Sequence, residues 1–482
     1  MKTKIIGSAL ALTLGSLGAN FAQAQSFQPP QQFLTSQQTG GVAVGDLNGD
    51  GRKDVAVSGC ACAPSTPSRL YVFQQTASGT LNPTPVEYLL ASGGGGSVQI
   101  ADVTGDGRPD LVARSGLGME VFAQTSTGTL LPGVLYPSNF AEELRVGDLN
   151  GDGRADSIGL EFSIDGHTDA DQAGIWYQNP SGSFDPQVLV PLPHGFNDDV
   201  KLADINNDGR LDVVVVNSFN EPAIVILYQN ANGTMSAPVS LSIGPGILSW
   251  QVGVGDINND GRKDVIASYG GYTTDVHLAV FRQNADGSFE APALINAADW
   301  LTAVEVADAN NDGRQDLLLL HQSSLGVILQ NADGSLAPEA LIALPAAGGH
   351  YQQGMVATDI NGDGATDVAY GQVGAQGALT VLYGTPPPPT NHPPVAKPDS
   401  ATIVCDDTAT ISVLANDSDP DGNPLKIASI TKPANGTATL LADGKRIRYA
   451  PRRYFRGTDR FNYTISDGKG GTATTTVTVV VR

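Results

Sequence analysis

Acidic side chains recur at alternate positions of a nine-residue run, and this is the clearest chemistry in the chain. The first copy reads Asp46-Leu47-Asn48-Gly49-Asp50-Gly51-Arg52-Lys53-Asp54. Asp46, Asn48 and Asp50 present oxygens at positions 1, 3 and 5. Gly51 at position 6 permits a tight bend that a side chain would hinder. Arg52 at position 7 offers its backbone carbonyl, and Asp54 at position 9 closes the shell. Calcium is a hard cation that takes roughly 6–8 oxygen ligands, and such a turn supplies them from one short segment.

Six further copies carry the same five positions. They are Asp102, Thr104, Asp106, Arg108 and Asp110; Asp148, Asn150, Asp152, Arg154 and Asp156; Asp204, Asn206, Asp208, Arg210 and Asp212. The last three are Asp256, Asn258, Asp260, Arg262 and Asp264; Asp308, Asn310, Asp312, Arg314 and Asp316; Asp359, Asn361, Asp363, Ala365 and Asp367. Ala365 is tolerable where the ligand is a backbone oxygen. An EF-hand would need a bidentate Glu at position 12 and flanking helices. Position 12 is Val57, Ala113, Gly159, Val215, Ala267, Leu319 and Tyr370, none of them acidic. The bland alternative is an Asx-rich hairpin without metal, but carboxylates crowded at three positions repel one another unless a cation offsets them.

The elements that position these loops are strands. Val42-Ala43-Val44 precedes the first loop and Val55-Ala56-Val57 follows it. The loops start 56, 46, 56, 52, 52 and 51 residues apart, and a period of that size marks a repeat architecture. In the fourth repeat Val213-Val214-Val215-Val216, Ala223 to Tyr228, Ala237 to Ser242 and Gln251-Val252-Gly253-Val254 read as successive short strands. Four strands per repeat is the pattern of propeller blades. Outer strands are expected at Thr80–Pro83, Thr129–Pro132, Ser183–Pro186, Met235–Pro238, Ser288–Pro292 and Ser335–Pro338. The seventh repeat lacks one, and residues 26–34 are expected to supply it, which removes the open edge.

Residues 25–385 resemble the FG-GAP/VCBS repeats of integrin alpha-subunit propellers and their bacterial relatives. The resemblance implies that each loop joins the first two strands of a blade and holds calcium. Residues 386–398, with Pro386 to Pro389, read as a stiff polyproline spacer. Residues 399–482 show about seven alternating strands, the content of a β-sandwich. There Asn416 to Gly422, Gly457-Thr458-Asp459 and Phe461 to Gly468 resemble bacterial cadherin-like Ig modules. Asp417, Asp419 and Asp421 are a further candidate for calcium, against a plain solvated turn. The expected fold class is therefore all-β: a seven-bladed β-propeller followed by an Ig-like β-sandwich.

Residues 1–24 read as a secretory signal peptide, with Lys2 and Lys4, an apolar run from Ile5 to Leu17 and Ala22-Gln23-Ala24 before the cleavage point. No later stretch is apolar enough to span a bilayer as a helix. The expected destination is secreted, periplasmic or cell-surface. The net charge is −22. Residues 391–482 carry 12 Lys/Arg against 9 Asp, so the acidity lies in the propeller, where the seven loops alone hold 21 Asp. That argues against nucleic-acid binding, which needs a basic surface. Cys60 and Cys62 sit too close in sequence for an unstrained bridge, and Cys405 is left over if they pair.

No catalytic constellation is evident. The six His follow no shared repeat position, and Gly-x-Ser-x-Gly is absent. One regularity faces away from the loops. Phe140, Phe196, Trp300 and Tyr351 lie eight residues before the first Asp of their loops, and Trp250 lies six before. A partial ring of aromatics there would stack on sugars or receive a protein hot spot; inter-blade packing is the plain alternative. The long segments Gly59 to Arg69 and Phe162 to Gly174 are expected to crown the same face. The leading functional expectation is a calcium-binding binding or adhesion module for a glycan or an extracellular protein. The alternatives are a lyase-like polysaccharide enzyme and a purely structural surface component.

Overall fold

The computed structural model describes residues 27–60, 67–93, 96–138, 140–161, 172–193, 196–218, 223–244, 249–270, 277–345, 354–372, 377–386 and 391–482. The expected signal peptide, Cys62, Tyr351 and most of the two long crown segments lie outside the described residues. The described residues form seven four-stranded sheets, each antiparallel, and a separate unit of one four-stranded and one three-stranded sheet.

The blade pattern follows from which faces are buried. In the fourth blade the second strand, Asp212–Ser218, pairs with Phe196–Ala203 on one side and Ile224–Leu227 on the other. Its side chains alternate, as strand geometry requires. Val213 and Val215 enter the core shared with the third blade, and Val214 and Val216 enter the core shared with the fifth. Both faces are dry, so the strand reads as a continuous apolar run. Leu317 to Leu320 repeat this in the sixth blade, all fully buried. On each inner strand the residue four before the loop is apolar and buried: Val42, Val98, Leu144, Val200, Val252, Val304 and Met355.

The propeller has one hydrophobic core per seam, and the ring closes. The seam between the last blade and the first is built like the others, from Phe33, Val42, Val55, Tyr71 and Phe73 with Ile360, Leu379 and Val381. Its outer strand is Gln31–Thr35, paired antiparallel with Gly377–Leu382. The ring of Phe33 lies 5.5 Å from that of Phe73. The expected outer strands need correction in most blades. Leu81, Leu130, Phe184, Met235, Phe289 and Leu336 make single bridges back to Gln75, Gln124, Gln178, Gln229, Gln283 and Gln330. The outer strands begin a few residues later, as at Val86–Leu89. The Ser/Thr-x-x-Pro signature marks this folded-back turn, because Pro cannot donate to the strand ladder that follows.

In the C-terminal unit, Asp399–Ile403, Thr472–Val481, Gly457–Ser466 and Lys426–Ile430 form one sheet, and Ala409–Ile411, Ile447–Pro451 and Gly436–Leu440 form the other. Tyr449 and Phe461 stack with centroids 6.1 Å apart. The buried hydroxyl of Tyr463 meets Asp399, Asp417 and the Val413 carbonyl at 2.8–3.0 Å.

If Gln31–Thr35 holds the ring shut, Phe33→Ala should cost about 3 kcal/mol, within the range for truncating a buried Phe. The readout is the thermal midpoint of the full chain. An unchanged midpoint would show that the ring does not depend on this strand.

Candidate metal centres and central channel

Each loop is a turn held by its own first carboxylate. Asp46 Oδ1 accepts the backbone N–H of Gly49 at 2.6 Å and those of Asn48 and Asp50 at 3.2 Å; its Oδ2 accepts Gly51 N–H at 2.8 Å. Asn48 Oδ1 accepts Asp50 N–H and Asp50 Oδ1 accepts Arg52 N–H. Two positions take the left-handed conformation. Position 6 is Gly throughout, as at Gly51 with φ of 83°. Position 4 is Gly in four loops and Asn207, Asn259 or Asn311 in the other three, the residue types that tolerate it. That second restriction is readable in the sequence once the geometry is known.

Asp54 does a different task. It is fully buried and receives Leu47 N–H on Oδ2 and Gln75 N–H on Oδ1, at 3.1 and 2.9 Å. It thereby ties the loop to the end of the third strand. Five other blades repeat the second bond, onto Gln124, Gln178, Gln229, Gln283 and Gln330, and Asp367 takes Gly384. The same glutamines reach the preceding blade. Gln124 Nε2 donates to Asp46 O, Gln229 Nε2 to Asp148 O, and Gln330 Nε2 to Asp256 O, at 2.9–3.0 Å. Gln75 and Gln283 reach Ile360 O and Ile205 O. This glutamine seam escaped the sequence reading because 14 to 22 residues separate each Gln from its Asp; the constant spacing is to the turn, six residues before its bridged Leu, Phe or Met.

The position-7 side chain also has a role that the sequence reading missed. Arg52 Nε donates to Gln75 O at 3.1 Å, and its Nη2 pairs with Asp50 Oδ2. Arg108, Arg154, Arg210, Arg262 and Arg314 make the same two contacts. Four of these six loops therefore carry a balance of −2, and Lys53 and Lys263 at position 8 bring the first and fifth to −1.

The donors suit a hard divalent cation: they are all oxygen, and every loop carries a net negative charge. Burial, reinforced by the nearby Asp50 and Asp46 charges, pushes Asp54 up to about 6. Asp156, Asp264, Asp316 and Asp367 are pushed up to about 6 for the same first reason, and Asp110 and Asp212 upward. Thr104 Oγ1, in the one loop without Asn at position 3, is buried with no hydrogen-bond partner among the described residues. The carboxylates nonetheless point to separate amides and to Arg. Among the described residues no three His, Cys, Asp or Glu side chains gather as a metal-holding group. A cation would therefore compete with the Arg52–Asp50 pair and its counterparts. In the C-terminal unit Asp417, Asp419 and Asp421 likewise serve different partners: Tyr463, the Asp421 and Asn423 amides, and His392.

The five expected aromatics are only partly described. The backbones of Phe140 and Phe196 begin their inner strands. Trp250 and Trp300 come together from the fifth and sixth blades, half-buried, with ring centroids 6.0 Å apart and planes at 40°. The segment carrying Trp300 is pinned from below. His321 Nδ1 meets Asp299 O at 3.2 Å and its Nε2 meets Glu339 Oε1 at 2.6 Å.

The structure also assembles a charged group that the sequence reading did not find. Inner-strand residues five and three before each loop line the central channel. Blade 3 contributes Glu143 and Arg145, blade 4 Asp199 and Lys201, and blade 6 Glu305. Arg145 binds Glu143 at 2.5 Å, Asp199 at 3.2 Å and Ser97 Oγ at 3.1 Å. Lys201 crosses to Glu305 at 2.5 Å. Counting back from each first Asp would have exposed both rings.

The FG-GAP-like repeat model matches residues 60–113, 148–215, 204–267, 269–319 and 308–370, more than half of the chain. The chain belongs to the FG-GAP-like repeat family. A bacterial Ig domain model matches residues 391–480 of this FG-GAP-like protein. Protein GAMETE EXPRESSED 2 of Arabidopsis thaliana is 34% identical over 88 residues, 18% of this chain and 9% of that protein, so the match spans less than a tenth of the relative. Among solved structures, an Agrocybe aegerita lectin described as recognising non-reducing terminal N-acetylglucosamine is 17% identical, with a TM-score of 0.47 over 66% of this chain and 90% of its own. The WD40 domain of Toxoplasma gondii coronin is 11% identical, with a TM-score of 0.45 over 76% and 89%. None of these identities reaches a level at which a ligand carries over.

The raised position-9 carboxyls set a pH dependence. An unfolded Asp titrates near ~3.9, so a folded value of about 6 favours the protonated fold. That contribution is complete below pH ~4 and is lost as pH rises through about 6. In metal-free protein the thermal midpoint should fall between pH 5 and 7. Added calcium should restore more at pH 7 than at pH 5, because the ion takes the ionised form. A flat metal-free profile across this window would refute the linkage.

Proposed function

We propose that this is a calcium-stabilised propeller, exported from the cytoplasm, that serves as a binding and adhesion module. The observation that carries the reading is the division of labour between its two faces. On the loop face every position-1 and position-9 carboxylate is committed to holding turns and seams. Calcium would be held there by Asp46, Asn48, Asp50, the Arg52 carbonyl and Asp54, and by the corresponding residues of the other loops. It would supply the positive charge that those carboxylates otherwise lack, so folding would couple to extracellular calcium.

The opposite face carries the Trp250–Trp300 pair, held by the His321–Glu339 brace. Paired indoles present a large, rigid apolar surface with polar edges, suited to a sugar ring or to a protein hot spot. Among the described residues no helix is long and apolar enough to cross a membrane. The bacterial Ig module fits a stalk or second adhesive unit. A polysaccharide-active enzyme is the second reading, and the channel cluster is the observation that favours it. Against it, Arg145 or Lys201 pairs with each of those carboxylates, an arrangement made to hold charge in place rather than to move a proton.

Metal-free protein should melt well below the calcium-loaded form at pH 7; equal midpoints would remove calcium from the proposal. A glycan array and a surface-extract pull-down, each with calcium and with chelator, test the ligand. Trp250→Ala with Trp300→Ala should weaken any calcium-dependent ligand by about tenfold or more, about 1.4 kcal/mol. Retained affinity in a folded double variant would move the site off this face. Turnover of an acidic glycan would favour the enzyme.

A further inference from the structure

We propose that the central channel is a binding site for one neutral, hydroxyl-rich ring, such as a single sugar residue at a chain end. The proposal rests on the glycan arm of the function given above, but it places the ligand away from the tryptophan pair.

The size comes first. The channel cavity is about 180 Å³. That is room for about six waters at ~30 Å³ each and less than the ~300 Å³ at which pockets for drug-sized ligands begin. It suits one ring and not a run of several. The walls come second. One arc is polar, from Gln99, Arg145, Lys201, Gln251 and Glu305. The facing arc, from blades 7 and 1, is small or apolar, with Gly41, Gly354 and Val356. A sugar has this same division, a hydroxylated edge and a C–H face.

Charge selects the ligand class. Three carboxylates and two cations alternate around the polar arc. An anion that reaches Arg145 or Lys201 meets Glu143, Asp199 and Glu305 as well, and a cation meets the reverse. A neutral hydroxyl both donates and accepts, so it can bond to either member of a pair without breaking it. The decisive group is Gln251. It is only 7% exposed, lines the cavity and has no side-chain hydrogen-bond partner among the described residues. Its amide is open to the channel, where a guest or water supplies its partners. Lys201 and Glu305 share one hydrogen bond, which leaves further N–H donors and a second carboxylate oxygen beside it.

Met355 sits in the core directly behind the channel wall formed by Gly354 and Val356, and its methyl reports on that wall from one residue away. The full chain, calcium-loaded and carrying ¹³C-methyl methionine, is titrated with the methyl glycosides of glucose, galactose, mannose and N-acetylglucosamine. A glucuronide and a glucosamine serve as charged controls. At least one neutral glycoside should shift the Met355 methyl saturably while Met119 and Met235 stay still. The charged controls should bind at least about tenfold more weakly, and Gln251→Leu should lose about tenfold. If no glycoside moves Met355, the cavity holds water only and the proposal fails. If a glycoside binds without moving Met355 and is lost in Trp300→Ala, the tryptophan face stands and the channel site falls. Should Gln251→Leu not fold, the titration of the unaltered chain decides alone.

Discussion

One buried carboxylate per blade carries the architecture. The position-9 Asp bonds to the amide of its own loop and to the amide that follows the third strand, so it fixes where two strands end relative to each other. In five blades the residue at that second amide is a glutamine whose side chain bonds to the preceding loop. Removing such a carboxylate would strand buried N–H groups at about 1–3 kcal/mol each. Six of the seven loops are thus both anchor for their own blade and acceptor for the next, the Asp102 loop being the exception among the described residues.

The same residue makes the fold electrostatically dependent. A carboxylate with two N–H donors is solvated by the protein but not neutralised. In six loops Arg at position 7 offsets one charge, and in the first and fifth Lys53 and Lys263 offset another. The seventh loop has Ala365 and keeps all three. There Thr366 Oγ1 bonds to Asp308 O, giving an inter-blade tie without a glutamine. Lys53 of the first blade reaches this loop, its Nζ donating to Asp359 O at 2.8 Å, in the blade that closes the ring.

Much of this was legible in the sequence. The period gave seven units, the alternation of Asp with Asn and Gly gave the loops, and the continuous apolar runs gave strands buried on both faces. The missing outer strand of the seventh repeat pointed to the N-terminal segment that pairs there. What was hidden had a common cause. The glutamine seam and the arginine braces join residues across segments of variable length, and the channel cluster joins different blades. Only the inner strands keep a constant offset from the loops. At that offset Glu143-x-Arg145 and Asp199-x-Lys201 stand out from Gly41, Ala303 and Gly354 once aligned. The outer strands were misplaced because a Pro-marked turn was read as the strand that it precedes.

The lopsided channel follows from how the ring closes. Where the last blade meets the first, backbones approach too closely for side chains. A Cβ on Gly354 would lie 2.6 Å from Gly41 Cα, and one on Gly41 would lie 2.5 Å from Gly96 O. Gly41 N–H bonds to Gly96 O at 3.1 Å, and Thr39 Oγ1 stitches to Ala378 O at 2.6 Å. This arc buries its polar groups in backbone pairing and has no room for charged side chains. Ion pairs can therefore occupy only the opposite arc, in blades 3 to 6, where the inner strands leave space for Arg145 and Lys201 to reach their partners. The tightness that seals the ring at one side leaves the channel polar on the other, and a guest that enters must match both.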